Sequence, residues 1–80
     1  TGAVEASEFT ALPGAGFLNV PLRDLNIKKG VLVTLIVRGR QCIIPFGGDH
    51  IESGDSVILT ALEGTVANLE DAFDAAGAGK

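Results

Sequence analysis

His50 is the only histidine in this chain and Cys42 the only cysteine. An imidazole beside the Asp49 carboxylate has the makings of a general base with an orienting acid. Neighbouring residues seldom point the same way, however, and no motif places a serine or cysteine near His50. A solvated loop imidazole is the plainer reading. Cys42 falls in an apolar run with nothing beside it to lower its pKa, which predicts a buried structural thiol. One cysteine and one histidine exclude the usual thiolate and imidazole zinc cages, and no internal disulfide can form.

Three carboxylates, Asp49, Glu52 and Asp55, lie close together in sequence. They lack the alternating ligand spacing and closing glutamate of a calcium loop. Asp55 follows Gly54, so its carboxylate is expected to bond backbone N–H groups in a turn. Gly47 and Gly48 are followed by acidic residues, not by a helix start or a Lys-Ser pair, so no phosphate loop is present. Arg38 and Arg40 flank Gly39 and are the best candidates for holding an anion, because a guanidinium binds phosphate in bidentate fashion. The plainer reading is a solubilising pair at a hairpin tip. Lys28 and Lys29 have the same two readings.

The elements that must hold these residues read as follows. Residues 4–12 (VEASEFTAL) form a strand with no cleanly apolar face, which suits a sheet edge or a strand shared with a partner. Pro13, Gly14 and Gly16 then break the chain. Residues 17–26 suggest a short helix capped by Asn19, with Pro21 in its first turn and Leu22 and Leu25 buried. Residues 31–37 (VLVTLIV) are almost wholly apolar and β-branched, the pattern of a strand buried on both faces. Arg38, Gly39 and Arg40 give a tight reversal, and residues 41–45 return antiparallel until Pro45, which cannot donate to a ladder. Residues 56–62 are the last strand. Thr65 is expected to cap a helix running to about residue 73, with Val66, Leu69, Ala72 and Phe73 on its buried face. Residues 74–80 read as a frayed tail.

The 80 residues make one domain, 1–80, with its core over about 4–73. A chain this short buries only about 60% of its unfolded surface. With four Phe and no Trp, Tyr or Met, the core rests on aliphatic side chains. Part of that surface is expected to be completed by a second copy. Ten acidic against six basic residues give a net charge of −4, which argues against nucleic acid. No apolar run approaches the ~20 residues of a membrane helix, so direct membrane insertion is not expected. The chain opens without Met, and we expect a piece of a longer protein.

Taken in order, EASEF, PLRDLNIKKGVLVTLIVRG, IIP, DHIESGDSVIL and TVANLEDAF resemble the C-terminal regulatory domain of the Trk potassium-uptake regulators, the TrkA-C or RCK-C family. The resemblance spans nearly the whole chain. It implies an α+β fold, a small β-α-β-β-β-α domain with a mixed, mostly antiparallel four-stranded sheet. It also implies a non-enzymatic, dimerising module that follows a nucleotide-binding domain, so nucleotide is expected there and no cofactor here. The full assembly would be cytoplasmic, held at the inner face of the membrane by a potassium transporter. Some relatives bind cyclic di-AMP across this dimer interface. Ile43, Ile44 and Pro45 match that pattern, whereas the strand before the Arg-Gly turn starts Val31-Leu32 without the asparagine found there. Residues 31–37 and 43–45 are expected to form the interface or groove, and the ligand or interface candidates are therefore Leu32, Arg38, Arg40, Ile43, Ile44 and Pro45. The alternative is a purely structural assembly domain with no small ligand.

Overall fold

The computed structural model describes residues 3–62 and 64–73. Four strands, β1 (Val4–Thr10), β2 (Leu32–Arg38), β3 (Gln41–Ile43) and β4 (Ser56–Leu62), form one sheet in the order β1-β4-β2-β3. All three pairings are antiparallel, so the sheet is not mixed. The small α+β order stands, with both helical elements reduced to single 3-10 turns, Leu22–Asp24 and Leu69–Ala72.

Backbone partners explain both reductions. Asn19 does not cap a helix; it sits at φ 62, and this left-handed residue turns the chain. The amides of Asn19, Leu22 and Arg23 then donate to the carbonyls of Ile51, Asp49 and Gly47 at 2.8–2.9 Å, in place of partners within a helix. The expected stripe survives, because Leu22 and Leu25 are both buried. Near the C-terminus the cap is Asn68, not Thr65. The Asp71 carboxylate accepts from the amides of Ala67 and Asn68, and these bonds hold it below the usual carboxylate range. The chain leaves this turn extended, and Phe73 makes an antiparallel bridge to Ile27. The tail predicted over 74–80 lies outside the described residues.

The core lies on one face of the sheet. Val33, Ile36, Val57 and Leu59 point into it and are covered by Ala11, Phe17, Leu22, Leu25, Ile51, Leu69, Ala72 and Phe73. The register of β2 against β4 shifts between Val33 and Leu35. This bulge sends both Val33 and Ile36 to the core, and the Thr34 hydroxyl donates to the Ile58 carbonyl. The strand 31–37 is therefore buried on one face only, contrary to expectation, because the covering segments reach only that face.

The other face is bare. Pairing and alternation place Val4 beside Leu62, then Ala6, Thr60 and Leu32, then Glu8, Ile58, Leu35 and Ile44, then Thr10, Ser56, Val37 and Cys42. Val4 (68%), Leu32 (62%), Ile44 (73%) and Leu62 (54%) are exposed there. Cys42 is exposed as well, because it lies on the outer side of the short edge strand β3. This corrects the buried thiol. The edge position expected for β1 is observed.

Candidate functional site

Two constructions bring the chemistry-bearing residues together. The first is an ionic clamp. Gly39, at φ 61, closes a two-residue hairpin turn that sets Arg38 opposite Gln41. Arg38 thereby faces the loop 46–55. Its Nε and Nη2 donate to the Asp55 carboxylate at 3.0 and 2.9 Å, and Nη2 also donates to the His50 carbonyl at 2.9 Å. Nη1 lies 3.3 Å from Glu52, whose carboxylate is 2.9 Å from His50 Nε2. Asp55 also accepts from the Glu52 amide at 2.8 Å, the turn bond expected of it. Burial pushes the Asp55 carboxyl up, but the Arg38 guanidinium and the Glu52 amide outweigh burial and leave it below the ordinary range. The hydrogen bond to Asp55 in turn raises Arg38. Each guanidinium edge is thus engaged within the fold, and the clamp ties the β2–β3 hairpin to the entry of β4.

Gly54 makes the turn geometrically possible. It sits at φ 91 with open space where a Cβ would go, so substitution there meets backbone strain alone. Gly54→Ala is expected to cost about 1–2 kcal/mol, the penalty of a left-handed alanine. Thermal melting should show a loss of roughly 4–16 °C for a domain of this size. An unchanged melting temperature would remove the strain argument.

The second construction is a groove of about 260 Å³, lined by Leu22, Arg23, Ile27, Val31, Leu32, Val33, Pro45, Phe46 and Gly47. The hydrogen bonds from Leu22 and Arg23 to Asp49 and Gly47 hold its two walls side by side. The Asp49 carboxylate fixes the loop by accepting from the Phe46 amide at 2.7 Å. Ile27 is fixed from behind by its bridge to Phe73, and the Lys28 amide donates to the Ala72 carbonyl at 2.7 Å. The lining contains no nucleophile and no general base. It can bind; it has no group with which to cleave or transfer. Among the described residues no group of three or more His, Cys, Asp or Glu converges to hold a metal.

Of the sequence candidates, Leu32 and Pro45 reach this groove. Ile44 stands exposed on the outer face, and Ile43 packs against the core. Arg38 is in the clamp, and Arg40 is exposed beside Gly39 at the hairpin tip. Val31 and Val33, of the strand expected to form the interface or groove, line it as well, whereas sequence reasoning missed Leu22, Arg23, Ile27, Phe46 and Gly47. The groove joins three separated segments, and no spacing rule links them.

A family model, the TrkA-C domain, matches residues 6–74. The Trk system potassium uptake protein TrkA homolog 2 of Methanosarcina mazei is 36% identical over 69 residues, covering 86% of this chain and 15% of that protein. The TrkA protein of Azorhizobium caulinodans is 32% identical over 72 residues, or 90% of this chain and 16% of that protein. The chain thus spans about a sixth of the length of these relatives. A solved structure described as "Structure of RCK domain with cda" shares the fold, at TM-score 0.65 and 24% identity, over 79% of this chain and 84% of that one.

Proposed function

The chain belongs to the TrkA-C family, and from that premise we propose that it is a non-catalytic, dimerising regulatory module of a potassium-uptake regulator, responsive to a small ligand at its dimer interface. One observation carries this reading, the outer sheet face. Its exposed Val4, Leu32, Ile44 and Leu62 are joined by half-buried Leu35, Val37 and Ile58, and Glu8 is the one charged side chain in these rows. A continuous apolar sheet face of this kind calls for a partner surface. A second copy of the same face is the simplest one, because a two-fold interface is self-complementary.

In the whole regulator this module follows a nucleotide-binding domain and sits in the cytoplasm against a membrane potassium transporter. A ligand at the groove biases one dimer geometry, and that bias is transmitted to the transporter. Leu32 supports this arrangement because it belongs both to the groove and to the outer face. Cyclic di-AMP is the ligand we propose, with Leu32 and Pro45, which line the groove, as its apolar contacts.

A structural assembly module without ligand is the second reading. The volume of the groove, about 260 Å³, favours it, being below the ~300–1,000 Å³ of most small-molecule pockets. Sedimentation and thermal melting separate the readings. A dimer at micromolar concentration is expected, with cyclic di-AMP at about a hundredfold its Kd adding ~2.7 kcal/mol of stability. A dimer indifferent to the dinucleotide leaves the structural reading. A monomer at that concentration sinks both.

A further inference from the structure

Glu8 interrupts an otherwise uncharged face. It lies opposite Ile58 of β4, which in turn lies opposite Leu35 of β2. Its other neighbours there are Ala6 and Thr10 along β1 and Ser56 and Thr60 diagonally on β4. Glu8 is exposed, and among the described residues no Lys, Arg or His pairs with it. Cys42 on β3 is the other titratable group of the face, and its rows contain no lysine or arginine. Arg38 is turned away and held by Asp55 and Glu52, and Arg40 lies at the hairpin tip beyond the last row. Glu5, on the same strand, alternates to the inner side opposite Ala61.

We propose that Glu8 sets the strength of self-association across the outer face and makes it depend on pH, with the ionised carboxylate opposing the pairing of two copies. This rests on the dimerising reading above and assigns the residue that regulates it. A two-fold interface uses each residue twice, so two Glu8 side chains enter one apolar contact. Each loses water, and the same face of a second copy offers it no cation in return. Loss of water without a partner disfavours the charged form. The pair therefore binds more protons than two separate chains, and lowering the pH favours the pair. β1 is an edge strand, so each carboxylate keeps part of its water at the rim. That limits the cost to about tenfold in association for each copy.

Sedimentation over a dilution series at pH 7.5 and pH 5.0 tests this on the parent chain, Glu8→Gln and Glu5→Gln. The last variant is the control, because it removes the same charge from the other side of the same strand. Glu8→Gln is expected to lower the dimer Kd roughly a hundredfold at pH 7.5, and the gap to the parent should narrow severalfold at pH 5.0. Glu5→Gln should stay within about threefold of the parent and keep its pH dependence. Both positions are exposed, so the melting temperatures of the separated variant chains should match the parent and exclude misfolding. Equal tightening by the two variants would reveal an effect of net charge and overturn the assignment. So would a Glu8→Gln Kd no lower than the parent's, or a gap of the same size at both pH values. Each of these leaves the dimerising reading standing. A parent chain that is monomeric through the micromolar range at both pH values overturns both.

Discussion

Replacing Arg38 by alanine is expected to cost about 3 kcal/mol at neutral pH, the lower end of the cost of breaking a buried ion pair from one side. For a domain of this size that is a fall of roughly 12–24 °C in melting temperature. The lower end is chosen because the Arg38 side chain is 29% exposed, and water moderates part of the interaction. Asp55, 1% exposed, has no such relief. Without the guanidinium its carboxylate keeps only the Glu52 amide among the partners found here. The pH dependence identifies the cause. In the parent chain the folded Asp55 carboxyl lies below its ordinary value near 4. Its contribution is therefore present above that value and is lost as pH falls through the lower folded one. In Arg38→Ala, burial, the largest influence on Asp55, loses its main opponent, and the folded carboxyl rises above the ordinary value. Stability of the variant then improves as pH falls through that raised value, so the gap to the parent narrows between pH 7 and pH 4. Thermal melts at both pH values measure this. A gap that is small at neutral pH, or equal at both, would show that the clamp is not what holds the hairpin to the loop.

That clamp also marks where the sequence was readable. Asp55 was legible as a turn residue because its bond to the Glu52 amide is local, three residues back. Its tie to Arg38 spans 17 residues and was not legible; Arg38 read instead as half of an exposed pair, since nothing local to the hairpin distinguishes it from Arg40. The strand Ser56–Leu62 follows its apolar alternation, with Val57, Leu59 and Ala61 turned inward. The first helix failed because its amides find partners across the chain, as Leu22 does with Asp49, and the second because the Asp71 carboxylate takes the amides of Ala67 and Asn68 in a tight local turn. Apolar content placed residues 31–37 in a strand but could not tell a face covered by the fold from one left exposed. Leu32 and Cys42 sit on that difference. The groove was half visible, through Val31, Leu32, Val33 and Pro45, and Arg23 was hidden inside a predicted helix.

The uncovered face leads to the second large effect. Leu62→Glu is expected to dissociate the proposed dimer while leaving the monomer folded. Leu62 is 54% exposed, lies beside Val4 at one end of the outer face and does not line the groove. A carboxylate there stays in water when the chain is alone, so the melting temperature of the monomer should move little, as surface substitutions do. In a self-complementary interface the same residue is used twice, so each dimer carries two substitutions. If burying each unpaired carboxylate costs about 2 kcal/mol, in the range for an interface residue that matters, the pair costs ~4 kcal/mol. That raises the dimer dissociation constant by roughly a thousandfold. Sedimentation equilibrium over a concentration series reads this directly. Under the proposed function, stabilisation by a cyclic dinucleotide shared between two copies should be lost with the dimer. A Leu62→Glu chain that still sediments as a dimer would move the interface off this face. The remaining surface for it would then be the sheet edges, where β1 and β3 leave backbone groups unpaired.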